Sequence, residues 1–292
     1  MSAEVAADWK RLGVIAGGGM LPVRIAESER ASGREPFVVR LFDDLGFADF
    51  PTADHSIAEP GAIMRTLKAE GCDAICFAGI VKRPNFASLR PDWRGTRMLP
   101  KVLKAARQGD GAIIDVIVGA FEEEGFRVVG AEEASGGLRV DRGALGQHTP
   151  AAEDMADIAK AARLVEALGP FDAGQGAVLR RGFVLGIEAA EGTDAMLKRC
   201  AELPEDLKGF EPGEEAHLRG VLVKVPKPEQ ELRVDLPTIG VRTVENAHAA
   251  GLAGIAVRAG AALMVDRDDV RATADRLGLF VYAFTADEVE GF

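Results

Sequence analysis

Cysteine and histidine are scarce in this chain, with three of the former and four of the latter among 292 residues. Cys72, Cys76 and Cys200 are too few and too scattered for a disulfide framework, so the chain is expected to work in a reducing compartment, the cytoplasm. Cys72 and Cys76 share a direction if residues 73–78 form a strand, and they read as inert core thiols rather than metal ligands. His55, His148, His217 and His248 show no ligand spacing, which sets zinc aside. Also missing is any run of about 18 uncharged apolar residues. The nearest, 251–265, is interrupted by Arg258 and reads as core. The first residues carry acids where a signal peptide would be basic. Net positive charge is absent as well: the formal charge of -11 argues against a general nucleic-acid or anionic-membrane binder. Any polyanionic ligand must therefore meet local positive charge.

What is present is 47% hydrophobic composition over a length that exceeds one average core, which predicts a two-domain globular protein. A short apolar run at 12–16 is followed by Gly17-Gly18-Gly19 and a helical pattern over 21–32 with Pro22 near its start. A strand over 37–41, a helix over 60–70 and a buried strand over 73–78 follow. This alternation predicts a parallel, Rossmann-like sheet with helices on its faces. Helices over 97–107 and 111–124 and a strand over 126–130 complete an N-terminal α/β domain, 1–145. A distinct mixed α/β C-terminal domain, 146–292, is then expected. It opens with a helix over 151–168, continues through β-like runs at 177–179, 183–187 and 221–225, and ends in renewed alternation from residue 243.

Chemistry concentrates in a few loops. Glycines after a first strand let backbone approach a phosphate, and the helix that follows offers free N–H groups. Pro22 stands where the last glycine of a dinucleotide fingerprint belongs. The loop is thus open to three readings: a tight structural turn, a degenerate dinucleotide site serving an oxidoreductase, or a contact to a nucleotide or sugar phosphate. Gly79 with Lys82 and Arg83 follows another strand, either as a phosphate contact or as an exposed basic turn. Residues 222–240 carry Pro226, Pro228 and Pro237, so Lys224, Lys227, Arg233 and Asp235 are expected to project from stiff backbone able to hold metal and phosphate.

Five strings in one order carry a resemblance. They are Leu12-Gly13-Val14-Ile15-Ala16-Gly17-Gly18-Gly19 with Leu21-Pro22; Cys76-Phe77-Ala78-Gly79 with Arg83-Pro84; Gly174-Gln175-Gly176; Glu191-Gly192-Thr193-Asp194; and Val234-Asp235-Leu236-Pro237-Thr238-Ile239-Gly240. From about Arg11 almost to its end, the chain resembles the LpxI-type UDP-2,3-diacylglucosamine pyrophosphatases of lipid A biosynthesis. The resemblance implies magnesium-dependent hydrolysis of UDP-2,3-diacylglucosamine to UMP and 2,3-diacylglucosamine 1-phosphate, lipid X. It further implies lipid bound between two domains, a homodimer, and an essential acid at Asp235.

Within that reading Asp235, Asp194 and Lys224 are the catalytic candidates, and Asp235 and Asp194 the magnesium ligands, since magnesium takes one or two carboxylates plus waters and substrate oxygens. Glu188, Glu191 and Glu231 are further acids that the metal's ligand set leaves open. Thr193 is expected at or near a helix N-cap, seating phosphate. Lys224 and Lys227 would neutralise phosphate charge, Gln175 beside Gly176 would bond the sugar or acyl amide, and Thr238 lies in the same string as Asp235. With Gly17, Gly18, Gly19, Gly79, Lys82 and Arg83 these make up the expected substrate contacts. Two acyl chains need an apolar crevice, because each exposed CH₂ costs about 0.8 kcal/mol. Arg94, Arg97, Lys101, Lys104 and Arg107 read either as a basic face for peripheral contact with the inner membrane or as the solvated side of a packed helix. The remaining alternative is a non-catalytic nucleotide or glycolipid sensor.

Overall fold

Five buried residues form the first strand, β1 (Leu12–Ala16), and the glycine turn leads into α1 (Leu21–Ala31), where Pro22 occupies a first-turn position that has no N–H partner to lose. The computed structural model describes residues 8–42, 46–81, 89–208, 218–227 and 231–290. β2 (Phe37–Arg40), β3 (Thr52–Asp54), α2 (Pro60–Ala69), β4 (Ala74–Ala78), α3 (Trp93–Ala105), α4 (Asp110–Glu122), β5 (Arg127–Val128) and α5 (Ala131–Ser135) follow. The five strands pair in parallel in the order β3-β2-β1-β4-β5, the Rossmann-like sheet that the alternation predicts. Ile15, Phe37, Val39, Ile63, Leu67, Ile75, Phe121 and Val128 fill one core beneath it, each apolar side chain contributing about 1.5–3 kcal/mol on burial.

The differences from expectation have local causes. α3 starts earlier than residue 97 because the Asp92 carboxylate accepts the Gly95 N–H at 2.7 Å and caps the first turn. The strand expected over 126–130 is short because Gly130 turns the chain into α5. Arg94, at the head of the basic stripe, is ion-paired with Glu124, which also holds Lys68 at 2.6 Å. Cys72, Cys76 and Cys200 are buried free thiols, and burial pushes the first two up to about 11 and about 12, as inert core cysteines require.

The second unit contains β6 (Gly143–Ala144), α6 (Ala152–Leu168), β7 (Gly176–Arg180), β8 (Phe183–Ile187), α7 (Gly192–Ala201), β9 (Val221–Lys224), β10 (Thr238–Ile239), α8 (Val241–Ala249), β11 (Gly254–Arg258), β12 (Leu263–Met264), α9 (Arg267–Leu277), β13 (Phe280–Phe284) and α10 (Ala286–Val289). Its main sheet has the order β6-β13-β11-β9-β7-β8. β9, β11 and β13 are parallel, whereas β6, β7 and β8 each run antiparallel to their neighbours. Alternation along β9 divides the core: Val221 and Val223 face α6, and Leu222 faces the layer of α7, α8 and α9.

The chain divides into a unit of Met1–Gly137 with Glu231–Asp235 and a unit of Leu138–Gln230 with Leu236–Phe292. The break thus falls at Gly137 and Leu138 rather than at 145 and 146. Residues 138–140 are already bonded into the second unit, where Met264 N–H donates to Leu138 O at 2.8 Å and Val140 N–H to Ala262 O at 3.2 Å. Among the described residues, no helix is long and apolar enough to cross a membrane.

The end of the second unit is closed electrostatically. Burial raises the pKa of Glu288, but Arg142, the Thr285 N–H and hydroxyl and the Tyr282 hydroxyl outweigh it, and the net result is a carboxyl lowered to about 2. A depressed carboxyl stabilises the fold fully above its ordinary value of 4.5 and loses that contribution as pH falls towards 2. Glu288→Gln is therefore expected to lower the melting temperature at pH 7, with the gap to wild type closing as the pH of the melts is stepped from 5 down to about 2.

Candidate active site

Polar chemistry in the second unit gathers where β9 ends and the antiparallel β7 begins, the side of a sheet at which parallel strands offer their carboxyl ends to ligands. Lys224, last in β9, stands opposite Gly176, first in β7. On the other flank Glu188, just past β8, donates its N–H to Gly176 O at 2.8 Å. Residues directly opposite one another share a sheet face, so Glu188, Gly176 and Lys224 form one row facing α7 and α8. Both charged members are inside: Glu188 is 7% exposed and Lys224 5%. Lys224 Nζ donates to Thr238 O at 3.3 Å, and Glu188 Oε1 accepts the Thr193 hydroxyl at 2.8 Å. Glu188 Oε2 has no hydrogen-bond partner among the described residues, and the same holds for Gln175 Oε1.

Glycine at 174 and 176 is a steric requirement of this corner. A Cβ at Gly174, where φ is +153°, would lie 2.2 Å from Glu188 O, and one at Gly176 would lie 2.6 Å from Glu188 Oε2. The Gly-Gln-Gly string thus exists to let Glu188 lie across β7.

Thr193 is the second residue of α7, near the N-cap position that Glu191 holds, and its hydroxyl is spent on Glu188. Asp194 is held on both oxygens: Oδ1 accepts from Asn246 Nδ2 at 3.0 Å and Oδ2 pairs with Arg242 Nη2 at 2.8 Å. Those two residues are one turn apart on α8, the spacing that puts both on one carboxylate. An open groove of about 370 Å³ beside them is lined by Leu197, Ala201 and Ala249 as well as Asp194 and Asn246. Lys227 is ion-paired with Asp172 rather than solvated. Thr238 donates its hydroxyl to Leu236 O at 3.1 Å.

Asp235 belongs to the first unit, against the expectation that the C-terminal domain carries it. Arg233 explains why: Nη1 reaches Glu122 Oε1 at 2.7 Å and Val128 O at 3.4 Å, while Nε and Nη2 hold Glu231 at 3.0 and 2.7 Å. The Arg233 guanidinium holds the Glu231 carboxyl below its ordinary value, and Val234 packs on the first unit's core. Asp235 itself is half-buried and donates its N–H to Glu231 O at 3.0 Å, so its backbone is fixed at the end of a tight turn.

The glycine loop is engaged by its own fold. Gly17 N–H donates to Ala78 O and Gly18 N–H to Ile80 O, both at 2.8 Å, and a Cβ at Gly79 would lie 2.6 Å from Gly18 O. Two loops lie backbone to backbone there, which favours the tight-turn reading for Gly17, Gly18 and Gly79. Gly19, at φ +90°, has open space around it. Lys82 and Arg83 lie outside the described residues.

Among the described residues, no group of three or more His, Cys, Asp or Glu converges to hold a metal. Asp194, one of the two acids expected to hold a metal, gives one oxygen to Arg242 and the other to Asn246. Sequence reasoning left Glu188 among several acids; its signal was an acid closing an apolar strand opposite a Gly-x-Gly string. The anchors Glu122, Asp172, Arg242 and Asn246 had no signal, because each depends on a partner distant in sequence.

A parallel-sheet unit followed by a mixed-sheet unit with buried acid and base at its strand ends defines a two-domain α/β protein with a polar strand-end site. The chain belongs to the LpxI family: the LpxI N-terminal domain matches residues 11–138 and the LpxI C-terminal domain residues 141–282. It is 51% identical over 282 residues to the UDP-2,3-diacylglucosamine pyrophosphatase LpxI of Caulobacter vibrioides (strain ATCC 19089 / CIP 103742 / CB 15), spanning 96% of this chain and 99% of that protein. A solved structure of CobK precorrin-6A reductase covers 94% of this chain and 88% of its own at 12% identity, with a TM-score of 0.31, too low to argue from.

Proposed function

We propose that this chain hydrolyses the pyrophosphate bond of UDP-2,3-diacylglucosamine to UMP and 2,3-diacylglucosamine 1-phosphate, a step in lipid A biosynthesis. The observation that carries the reading is 51% identity, spanning nearly all of both chains, to a protein named for that activity.

The substrate's pyrophosphate diester carries two negative charges, so attack by water needs charge neutralisation, an activated nucleophile and a stabilised leaving group. Lys224 supplies a fixed ammonium whose burial strengthens its pull on a phosphoryl oxygen. Asp235, on its anchored turn, holds a carboxylate in one place to accept a proton from water or to hold a metal. Magnesium, when bound, lowers the pKa of water and neutralises phosphoryl oxygens. Gln175 and the row of Glu188, Gly176 and Lys224 bind the sugar side. A cytoplasmic location, peripheral contact with the inner membrane and a homodimer belong to the same reading. The nicotinamide alternative loses ground because the Gly17 and Gly18 N–H groups are already bonded to backbone oxygens.

Release of UMP from UDP-2,3-diacylglucosamine by the purified protein tests the reading. Activity is expected with magnesium and is expected to vanish with EDTA and return on re-addition of the ion. Tight glycolipid binding without turnover would instead make the protein a sensor, and activity indifferent to EDTA would remove magnesium from the scheme.

A further inference from the structure

α3 concentrates positive charge in a chain whose formal charge is -11: from Trp93 to Gln108 the sequence holds five cations and no acid. Glu124 takes Arg94. The other four, Arg97, Lys101, Lys104 and Arg107, are exposed and have no ion pair among the described residues. They follow one another at spacings of four, three and three, which brings like charges together on a helix and works against its stability. An external anion would relieve that repulsion. Apolar side chains stand among the cations, with Trp93 77% exposed and Leu103 43%. Trp93, Arg97, Pro100, Lys104 and Arg107 form a single stripe along the solvent side, and the buried Gly95 and Ala105 lie on the other side of the helix. α4 packs against α3 and is apolar on most of its faces, a composition that ordinarily belongs to a buried helix. Yet its Ile113 and Val116 are only half-buried.

We propose that the α3–α4 hairpin of the first unit docks on a bilayer that contains anionic lipid. Its four exposed cations meet headgroup phosphates, and Trp93 and Leu103 enter the boundary between headgroups and acyl chains. Charge complementarity selects this partner, because a helix without acids on an acidic protein attracts a surface of phosphates where the rest of the molecule is repelled. The interleaved apolar groups select it over a nucleic-acid duplex, which offers phosphate but no apolar layer for Trp93 and Leu103. The proposal deepens the pyrophosphatase reading and rests on it for the reason to dock, since a substrate with two acyl chains partitions into a membrane. The binding itself is tested without turnover.

Trp93 reports on its own docking. The other tryptophan, Trp9, is 7% exposed and donates its indole N–H to Glu29, so a blue shift of tryptophan emission on adding vesicles reads Trp93. The full-length protein is expected to sediment with phosphatidylethanolamine–phosphatidylglycerol vesicles, with that shift, and not with phosphatidylcholine vesicles. Arg97→Gln combined with Lys104→Gln should weaken binding about 30-fold at low salt, the difference closing as KCl is raised. Trp93→Ala should weaken binding at every salt concentration. All three positions are exposed, so the variants should melt like wild type and release UMP from detergent-dispersed substrate at the wild-type rate. Failure to sediment with the anionic vesicles overturns the proposal, as does binding indifferent to both variants. Equal affinity for a DNA duplex, with no shift of Trp93 emission on vesicles, makes the stripe a nucleic-acid contact and overturns it as well. Should wild type release no UMP from any form of the substrate, the pyrophosphatase reading fails separately, and the sedimentation result still decides the docking surface.

Discussion

Asp235→Asn is expected to slow UMP release about 100- to 10,000-fold, the range for removing a group that moves a proton in the rate-limiting transition state. The substitution keeps shape and hydrogen-bonding capacity and removes only the charge. Its effect on folding should stay under about 0.5 kcal/mol, because the side chain is half-buried and outside the core. The segment is also held by Arg233 with Glu122, Glu231 and Val128 O, and by Val234 packed on the first unit's core. Loss of rate with an unchanged melting temperature and unchanged substrate binding is the expected signature. Full activity in Asp235→Asn would remove this residue from the mechanism, and loss of rate together with unfolding would make it structural. The distinction is measurable with one melt and one progress curve.

Lys224→Met is expected to lower kcat/KM about 100- to 1,000-fold, the size of effect seen when one preorganised donor to developing charge is deleted. Stability should move little or improve. Lys224 is 5% exposed, on the same face as Leu222 and against Val257 in the neighbouring strand, surroundings that suit a methionine of similar length. Burying an ammonium among such residues costs several kcal/mol before its hydrogen bonds are counted, so an apolar replacement of similar volume is tolerated or favoured. A residue kept for folding would behave in the opposite way, with the melting temperature falling and activity per folded molecule retained. Arginine is not a neutral alternative, since its planar fork does not fit a site shaped for a point charge. Guanidine-free buffers and thermal melts suffice for the comparison.

The parallel sheet of the first unit was legible because its signal is local. Continuous apolar runs at β1 and β4, closed by glycines and separated by helices, admit few arrangements other than strands buried on both faces. β3 and β10 escaped notice since three and two residues carry no period. The site was legible only in kind. Asp235, Lys224 and the Gly-Gln-Gly string stood out by residue type and by family resemblance, yet nothing in the sequence near Asp194 announces that Arg242 and Asn246 will hold both its oxygens. Thr193 illustrates the same limit: its place at or near the helix start was legible, but not that its hydroxyl would turn to Glu188, five residues back.

Sequence alone determined the class of the first sheet, the family, and the types of residue available to act on a phosphate, because those follow from periodicity and from strings that are contiguous in the chain. Tertiary structure decided which unit Asp235 joins, which of the acids stands unpartnered inside, and why glycine is required at 176. Each of those is set by contacts between segments far apart in the chain: Arg233 with Glu122 across 111 residues, and Glu188 laid over Gly176 by strand pairing. Register converts distant positions into neighbours, and a buried charge has meaning only once its neighbours are known.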